Sequence, residues 1–340
     1  MWVLLFHLTL GQDIPVLEFG YLGVDLFFIL SGFVLTMVYA NSFVSLNRHE
    51  YFHFLQVRLA RIYPLHLATL LLTAALVLAF PERAMVYSEA ARRFSLDSFI
   101  ACLLLIQNWA YWLPTSWNVP SWSLSAEWLA YLLFPVALPI VRSFRTAWHA
   151  VAAAGLLLAL LGVVIVSKGI PGSTGSGGTL RMACEFGCGA FLWQAMSCGF
   201  RIPPWTGSLA AVVMISVALS ASASDVPAMN GLAAFGFALV VLVAASGKGP
   251  FHMVLSSKPM VFLGDISYSI YLLHWIVIRV FAEVVPLPED GGPSWLLRII
   301  TCVTIVLCLA WVSYRVIELP ARRWGRSLGQ SPVPVAAISR

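Results

Sequence analysis

Apolar residues run along this chain in long blocks, without the two-residue alternation of strands or the single apolar stripe of a surface helix. A helix needs about 20 apolar residues to cross the hydrocarbon core of a bilayer. Blocks that approach or reach this length lie at 21–40, 63–80, 122–141, 148–167, 180–199, 207–222, 229–246, 262–284 and 295–317, and each predicts a spanning helix. Residues 1–10 are apolar too but give only about half a span at ~1.5 Å per residue. They lack a basic leader and a small-residue cleavage site, so they do not read as a signal peptide. They read instead as the outer half of a first helix whose inner half would precede Met1. The expected fold is therefore all-α, a polytopic membrane helix bundle of about ten spans with the first one truncated.

The stretch 98–113 is apolar but ambiguous. If it does not cross, one side of the membrane collects Arg48, Arg58, Arg61, Arg142, Arg145, Arg201, Lys248, Lys258, Arg315 and the basic tail. The other side holds Arg83, Arg92, Arg93, Lys168 and Arg181. Basic residues gather on cytoplasmic loops, which favours this arrangement and a cytoplasmic C-terminus. Trp109, Trp112, Trp117, Trp122 and Trp128 crowd the region, as expected at a membrane interface. Residues 98–121 are accordingly expected to form a re-entrant or interfacial segment on the outer side. Gly/Ser-rich 170–178 reads as a flexible outer loop and 286–293 as an acidic outer turn. Residues 1–326 form one membrane domain in this reading, and 327–340 a disordered cytoplasmic tail.

Composition supports the assignment. Of the 340 residues, 60% are hydrophobic and 10% charged, too few charges to cover a soluble surface. The net charge of +5 follows from membrane orientation and calls for no nucleic-acid partner. The six cysteines lie in apolar stretches, and Cys184 and Cys188 have no histidine nearby to complete a zinc site. Neither a metal nor a disulfide framework is expected.

Ionisable groups within spans are costly and default to functional candidates. The short list is His7, Asp25, Glu127, Glu185, His274, Arg279 and Glu283. His7 and Asp25 sit at similar depth on helices joined by a short outer loop, close enough in principle for the carboxylate to orient the imidazole as a general base. The alternative for Asp25 is an acid placed in a first helical turn by the macrodipole. Ser123 and Glu127, four apart, share a helix face at the same depth, although helix capping is an equally simple reading. Arg58 and Arg61 present two guanidinium groups toward the inner side, as suits phosphates or an ordinary positive-inside anchor. His274 falls near mid-membrane, where packing against a polar neighbour competes with catalysis.

Several segments together resemble the membrane acyltransferase family 3, of the sugar O-acetylase type. They are Phe6-His7, the run from Gly20 through Asp25 to Phe33, Arg58-Leu59-Ala60-Arg61-Ile62-Tyr63-Pro64, Trp122 to Glu127, Gly264 to His274, and Ser313 to Arg322. The resemblance implies an integral membrane enzyme that moves an acyl group, usually acetyl, from cytoplasmic acyl-CoA to a hydroxyl of an extracytoplasmic glycan, glycolipid or similar acceptor. His7 is then the expected catalytic residue, with Asp25, Glu127 and Ser123 beside it. Arg58, Arg61 and Tyr63 are the expected CoA-binding residues. The family usually carries an arginine about three helical turns before this histidine, and the chain begins too late to contain it. The expectation is a start lying upstream or a truncated, inactive copy. The rival class is a proton-coupled transporter, which would show internal pseudo-symmetry and paired broken helices. The sequence shows neither.

Overall fold

The computed structural model describes residues 1–10, 14–44, 47–81, 90–109, 117–168, 176–203, 205–219, 226–247, 249–285 and 293–328. Most of the expected loop 170–178, most of the turn 286–293 and the tail from 329 lie outside them. Among the described residues every regular element is helical. In chain order these are α1 (Trp2–Leu8), α2 (Pro15–Glu18) running through a 3-10 turn into α3 (Gly23–Val38), α4 (Arg48–Ala79), α5 (Ala90–Arg93) and α6 (Leu96–Leu103). They continue with α7 (Trp122–Ser143), α8 (Ala147–Lys168), α9 (Ser176–Ser197), α10 (Thr206–Leu219), α11 (Val226–Ala245) and α12 (Gly249–Leu255). The last are α13 (Lys258–Val284), α14 (Pro293–Ser313), a π-turn (Tyr314–Glu318) and α15 (Leu319–Ser327).

Six helical stretches are long and apolar enough to cross a membrane: Phe19–Val38, Arg48–Ala79, Val119–Ser143, Ala147–Ser167, Lys258–Val284 and Ser294–Ser327. The other expected spans are helical as well, but as described they are shorter or more polar. Large apolar side chains stand exposed along these helices, including Leu133, Leu156, Val163, Leu297 and Leu309. In water such a surface would be a liability; against lipid it is the solvated face.

The closest helix crossing is between α3 and α9. A Cβ on Gly32 would lie 1.9 Å from the Phe186 carbonyl oxygen, and one on Gly189 would lie 1.9 Å from that of Ile29. The reciprocal pair of glycines lets the two backbones touch, the small-residue packing that replaces hydrophobic drive inside a bilayer. Helix α4 differs from expectation. It does not begin at 63 but runs unbroken from Arg48 through Pro64 to Ala79, so the arginine pair belongs to the spanning helix itself.

Helix α6, at eight residues, is too short to cross. The Tyr63 hydroxyl donates to the Leu103 carbonyl (3.1 Å) and His66 Nε2 to that of Cys102 (2.8 Å). Tyr63 and His66 sit about 24 and 20 Å along α4 from its Ala79 end, at 1.5 Å per residue. The chain then turns back: the Ser125 hydroxyl takes the Asn108 N–H (3.1 Å) and Asn118 donates to the Leu272 carbonyl (3.0 Å). The described parts of 98–121 thus dip into the bundle and return to the same end of α7, while 110–116 lie outside the described residues.

Helix α1 docks where the 3-10 turn lets it. A Cβ on Gly20 would collide with Phe6 Cβ at 2.5 Å, so only glycine allows that approach. Leu4 and Leu8 then bury against Ile266, Ile270, Cys302 and Val306 of α13 and α14. This seats His7 between the 3-10 turn and α13.

Candidate active site

The site is built on α1 and α13. Burying Leu4 and Leu8 turns the intervening His7 toward the middle of α13, where His274 is fully buried. His274 Nε2 lies 3.0 Å from His7 Nδ1. His274 Nδ1 faces two carbonyls of its own helix, Tyr271 at 2.6 Å and Ile270 at 3.2 Å. A carbonyl only accepts, so the proton sits on His274 Nδ1 and its Nε2 is an acceptor. His7 Nδ1 also faces a carbonyl, that of Val3, at 3.0 Å. It must be the donor to both, which leaves His7 Nε2 with a free lone pair. The Trp275 ring abuts the same imidazole edge-on, with centroids 5.2 Å apart.

Beside His274 opens a cavity of about 290 Å³ between the first residues of α1, α3, α4, α7 and α13. Arg61, Glu127, Tyr268, Tyr271 and His274 are among the residues that line it. Arg61 is solvent-exposed. Glu127 is buried and accepts from the Ser31 hydroxyl (3.0 Å) and, in a short bond, from Tyr131. Arg61 and Arg58 are both near enough for their charges to act on it. The remaining hydroxyl, Ser123, bonds Tyr271 at 2.7 Å rather than Glu127.

The expected single cluster is therefore divided. Asp25 does not orient His7; its carboxylate forms a buried ion pair with Arg181, one turn before buried Glu185 on α9. The glycine crossing of α3 and α9 brings the two together. Arg181, expected on the outer side, lies inside the bundle instead, because a buried carboxylate demands a partner. Its signal in the sequence was the four-residue spacing to Glu185. The arginine pair also separates. Arg58 donates to the Tyr39 hydroxyl at 2.9 Å and sits against the rings of Tyr39, Phe54 and Tyr131 at 5.2, 5.6 and 6.0 Å, so it is engaged within the protein. Arg61 alone of the two lines the cavity. The Tyr63 hydroxyl is taken by Leu103 and supports the re-entrant segment.

A family model described as an acyltransferase domain, of the acyltransferase 3 type, matches residues 1–315. The chain is similar to "Acyltransferase MdmB" of Streptomyces mycarofaciens, with 30% identity over 284 residues, 76% of this chain and 68% of that protein. It is also similar to "O-acetyltransferase OatA" of Staphylococcus aureus, 24% identical over 355 residues covering 95% of this chain and 55% of the relative. "Peptidoglycan O-acetyltransferase OatA" of Listeria monocytogenes is 24% identical over 333 residues, 90% of this chain and 52% of the relative. The chain thus spans about half the length of these two O-acetyltransferases. No solved structure matches it. With the family model covering residues 1–315 of 340, the chain belongs to the family 3 acyltransferases.

Proposed function

We propose that this chain is a multi-pass O-acyltransferase of the cytoplasmic membrane, moving an acetyl or similar acyl group from acyl-CoA on the inner side to a hydroxyl of an outer glycan or glycolipid. The observation that carries the reading is the His7–His274 pair, with one His7 nitrogen left basic and His274 lining a cavity that also holds Arg61. The relatives' names supply the reaction class, and the peptidoglycan in one of them is the model for a glycan acceptor. The basic loops give the orientation. The end of α7 bonds the end of α3, Arg142 to Ala40 and Ser42, and the end of α9 bonds the chain after α7, Gln194 to Phe144. These ends share a side, the one that also carries Arg145 and Arg201, and by the positive-inside rule it is cytoplasmic.

In this mechanism Arg61 holds a phosphate of the CoA head group and Glu127 keeps Arg61 at the cavity mouth. The thioester end lies toward His274. His7 Nε2 takes the proton of the acceptor hydroxyl as its oxygen attacks the thioester carbonyl carbon. The C–S bond breaks, and the proton passes from His7 to the departing thiolate sulfur. His274 fixes which nitrogen of His7 is basic, the role first assigned to Asp25. Holding both substrates in one site removes the entropy of their encounter, and no free CoA has to cross the bilayer.

The test is purified full-length protein in lipid nanodiscs with radiolabelled acetyl-CoA and peptidoglycan fragments or a glycolipid. Wild type should release thiol and label the acceptor, and His7→Ala should lose about 10²–10⁴-fold in rate, the share a general base supplies. Undiminished transfer by His7→Ala would refute the assignment.

A further inference from the structure

A second cavity, of about 300 Å³, lies on the opposite flank of α13 from the first. The two open on consecutive residues: His274 lines the first and Trp275 the second. His7 touches both, His274 by a 3.0 Å hydrogen bond and Trp275 by ring contact at 5.2 Å. The second cavity is walled by the rings of Trp275, Trp117, Phe94 and Phe80, and carries Arg279 and Glu283 on its side. Trp117 is held in place by Phe94, at 5.3 Å, and by its own N–H on the Ser98 hydroxyl at 3.0 Å.

We propose that this cavity is the acceptor site, and that its occupant is a neutral polyhydroxylated ring, a sugar unit with one C–H face against the tryptophans. The proposal rests on the reading of His7 as the reacting group. Its volume is near the lower bound of ligand pockets, about 300 Å³, which suits a ring-sized group and not a length of polymer. Flat aromatic walls with few polar groups bind ligands that have one apolar face and a polar edge. Arg279 and Glu283 put opposite charges on one wall, which favours neither an anionic nor a cationic occupant. The donor already has its own route past Arg61 on the other flank. With a sugar ring against Trp275, its hydroxyl edge faces His7 between the two cavities.

A photoreactive diazirine glucoside, applied to the full chain in nanodiscs, tests the site directly. Labelling should map to 73–80, 94, 117 or 275–284 and be competed by excess methyl glucoside. Labelling elsewhere, or labelling competed only by diacyl phospholipid, would overturn the proposal and make the cavity a lipid site. This readout needs no turnover, so it stands even if acetyl-CoA yields no free thiol and the acyltransferase reading itself fails. Kinetics give the second arm. Val280→Trp and, independently, Leu76→Trp fill the cavity without removing a hydrogen bond. Each should raise the acceptor KM at least tenfold while the acetyl-CoA KM stays within twofold. An unchanged acceptor KM in both variants would contradict the site.

Discussion

Two buried polar groups of this protein look alike in sequence and differ in kind. One joins Asp25 to Arg181 beside Glu185, where α3 crosses α9 on paired glycines. The other joins His7 to His274, where α1 meets α13. In the first, Asp25 and Arg181 answer each other's charge, and none of the three residues lines either of the two cavities; its product is helix association. In the second, carbonyls fix the Nδ1 protons, one His7 nitrogen is left over, and its neighbours His274 and Trp275 each line a cavity. Ionisable groups inside the bundle mark both, but only the histidine pair has residues of its own neighbourhood lining the cavities.

The contrast can be broken by exchange of roles. The largest effects should fall on the histidine pair: His7→Ala removes about 10²–10⁴-fold of rate, and His274→Ala at least about tenfold by freeing the wrong tautomer. Neither should lower the thermal midpoint as Arg181→Leu does. Arg181→Leu leaves the Asp25 carboxylate buried alone, and should destabilise the bundle by about 3–5 kcal/mol. Adding Asp25→Leu should recover most of that loss, read as recovery of folded protein by fluorescence-detected size exclusion, with transfer per folded molecule restored. Were Asp25 to act on His7, the double variant would fold and stay inactive.

A smaller effect separates the two arginines. Arg61→Ala should raise the acetyl-CoA KM about tenfold, the loss of one charge-assisted contact worth about 1.5 kcal/mol. Arg58→Ala should cost about 2 kcal/mol of stability through its aromatic neighbours and leave the acetyl-CoA KM within about twofold after correction for folded protein. Equal KM effects would return both guanidinium groups to the CoA site. Smallest of all, Tyr63→Phe should cost about 0.5–1.5 kcal/mol, seen as a lowered thermal midpoint with no change in donor affinity.

Helix content was legible because lipid imposes a length on every apolar block, and 122–141, 148–167 and 262–284 fall within observed helices. The bounds of α4 were not, since its first half, Arg48–Ile62, is polar enough to read as a loop yet helical enough to continue through Pro64. The candidates were legible as a set, because each ionisable residue in an apolar block is costly. Their pairing was not. Depth along adjacent helices brings His7 level with Asp25 but says nothing of rotation about the helix axis. His7 meets a residue 267 positions away and Asp25 one 156 away, set by packing that no local spacing records. Ser123 and Glu127 do share a helix, yet one faces Tyr271 and the other Ser31 and Tyr131.

In the proposed mechanism His274 accepts the Nδ1 proton of His7 in a hydrogen bond and leaves Nε2 basic. Nitrogen-15 spectra of the histidine-labelled chain in nanodiscs, with His7 assigned by its loss in His7→Gln, read this directly. His7 should be the Nδ1–H tautomer in the wild type and shift toward a tautomer mixture in His274→Ala. A wild-type His7 protonated at Nε2, or a tautomer indifferent to His274, would contradict it.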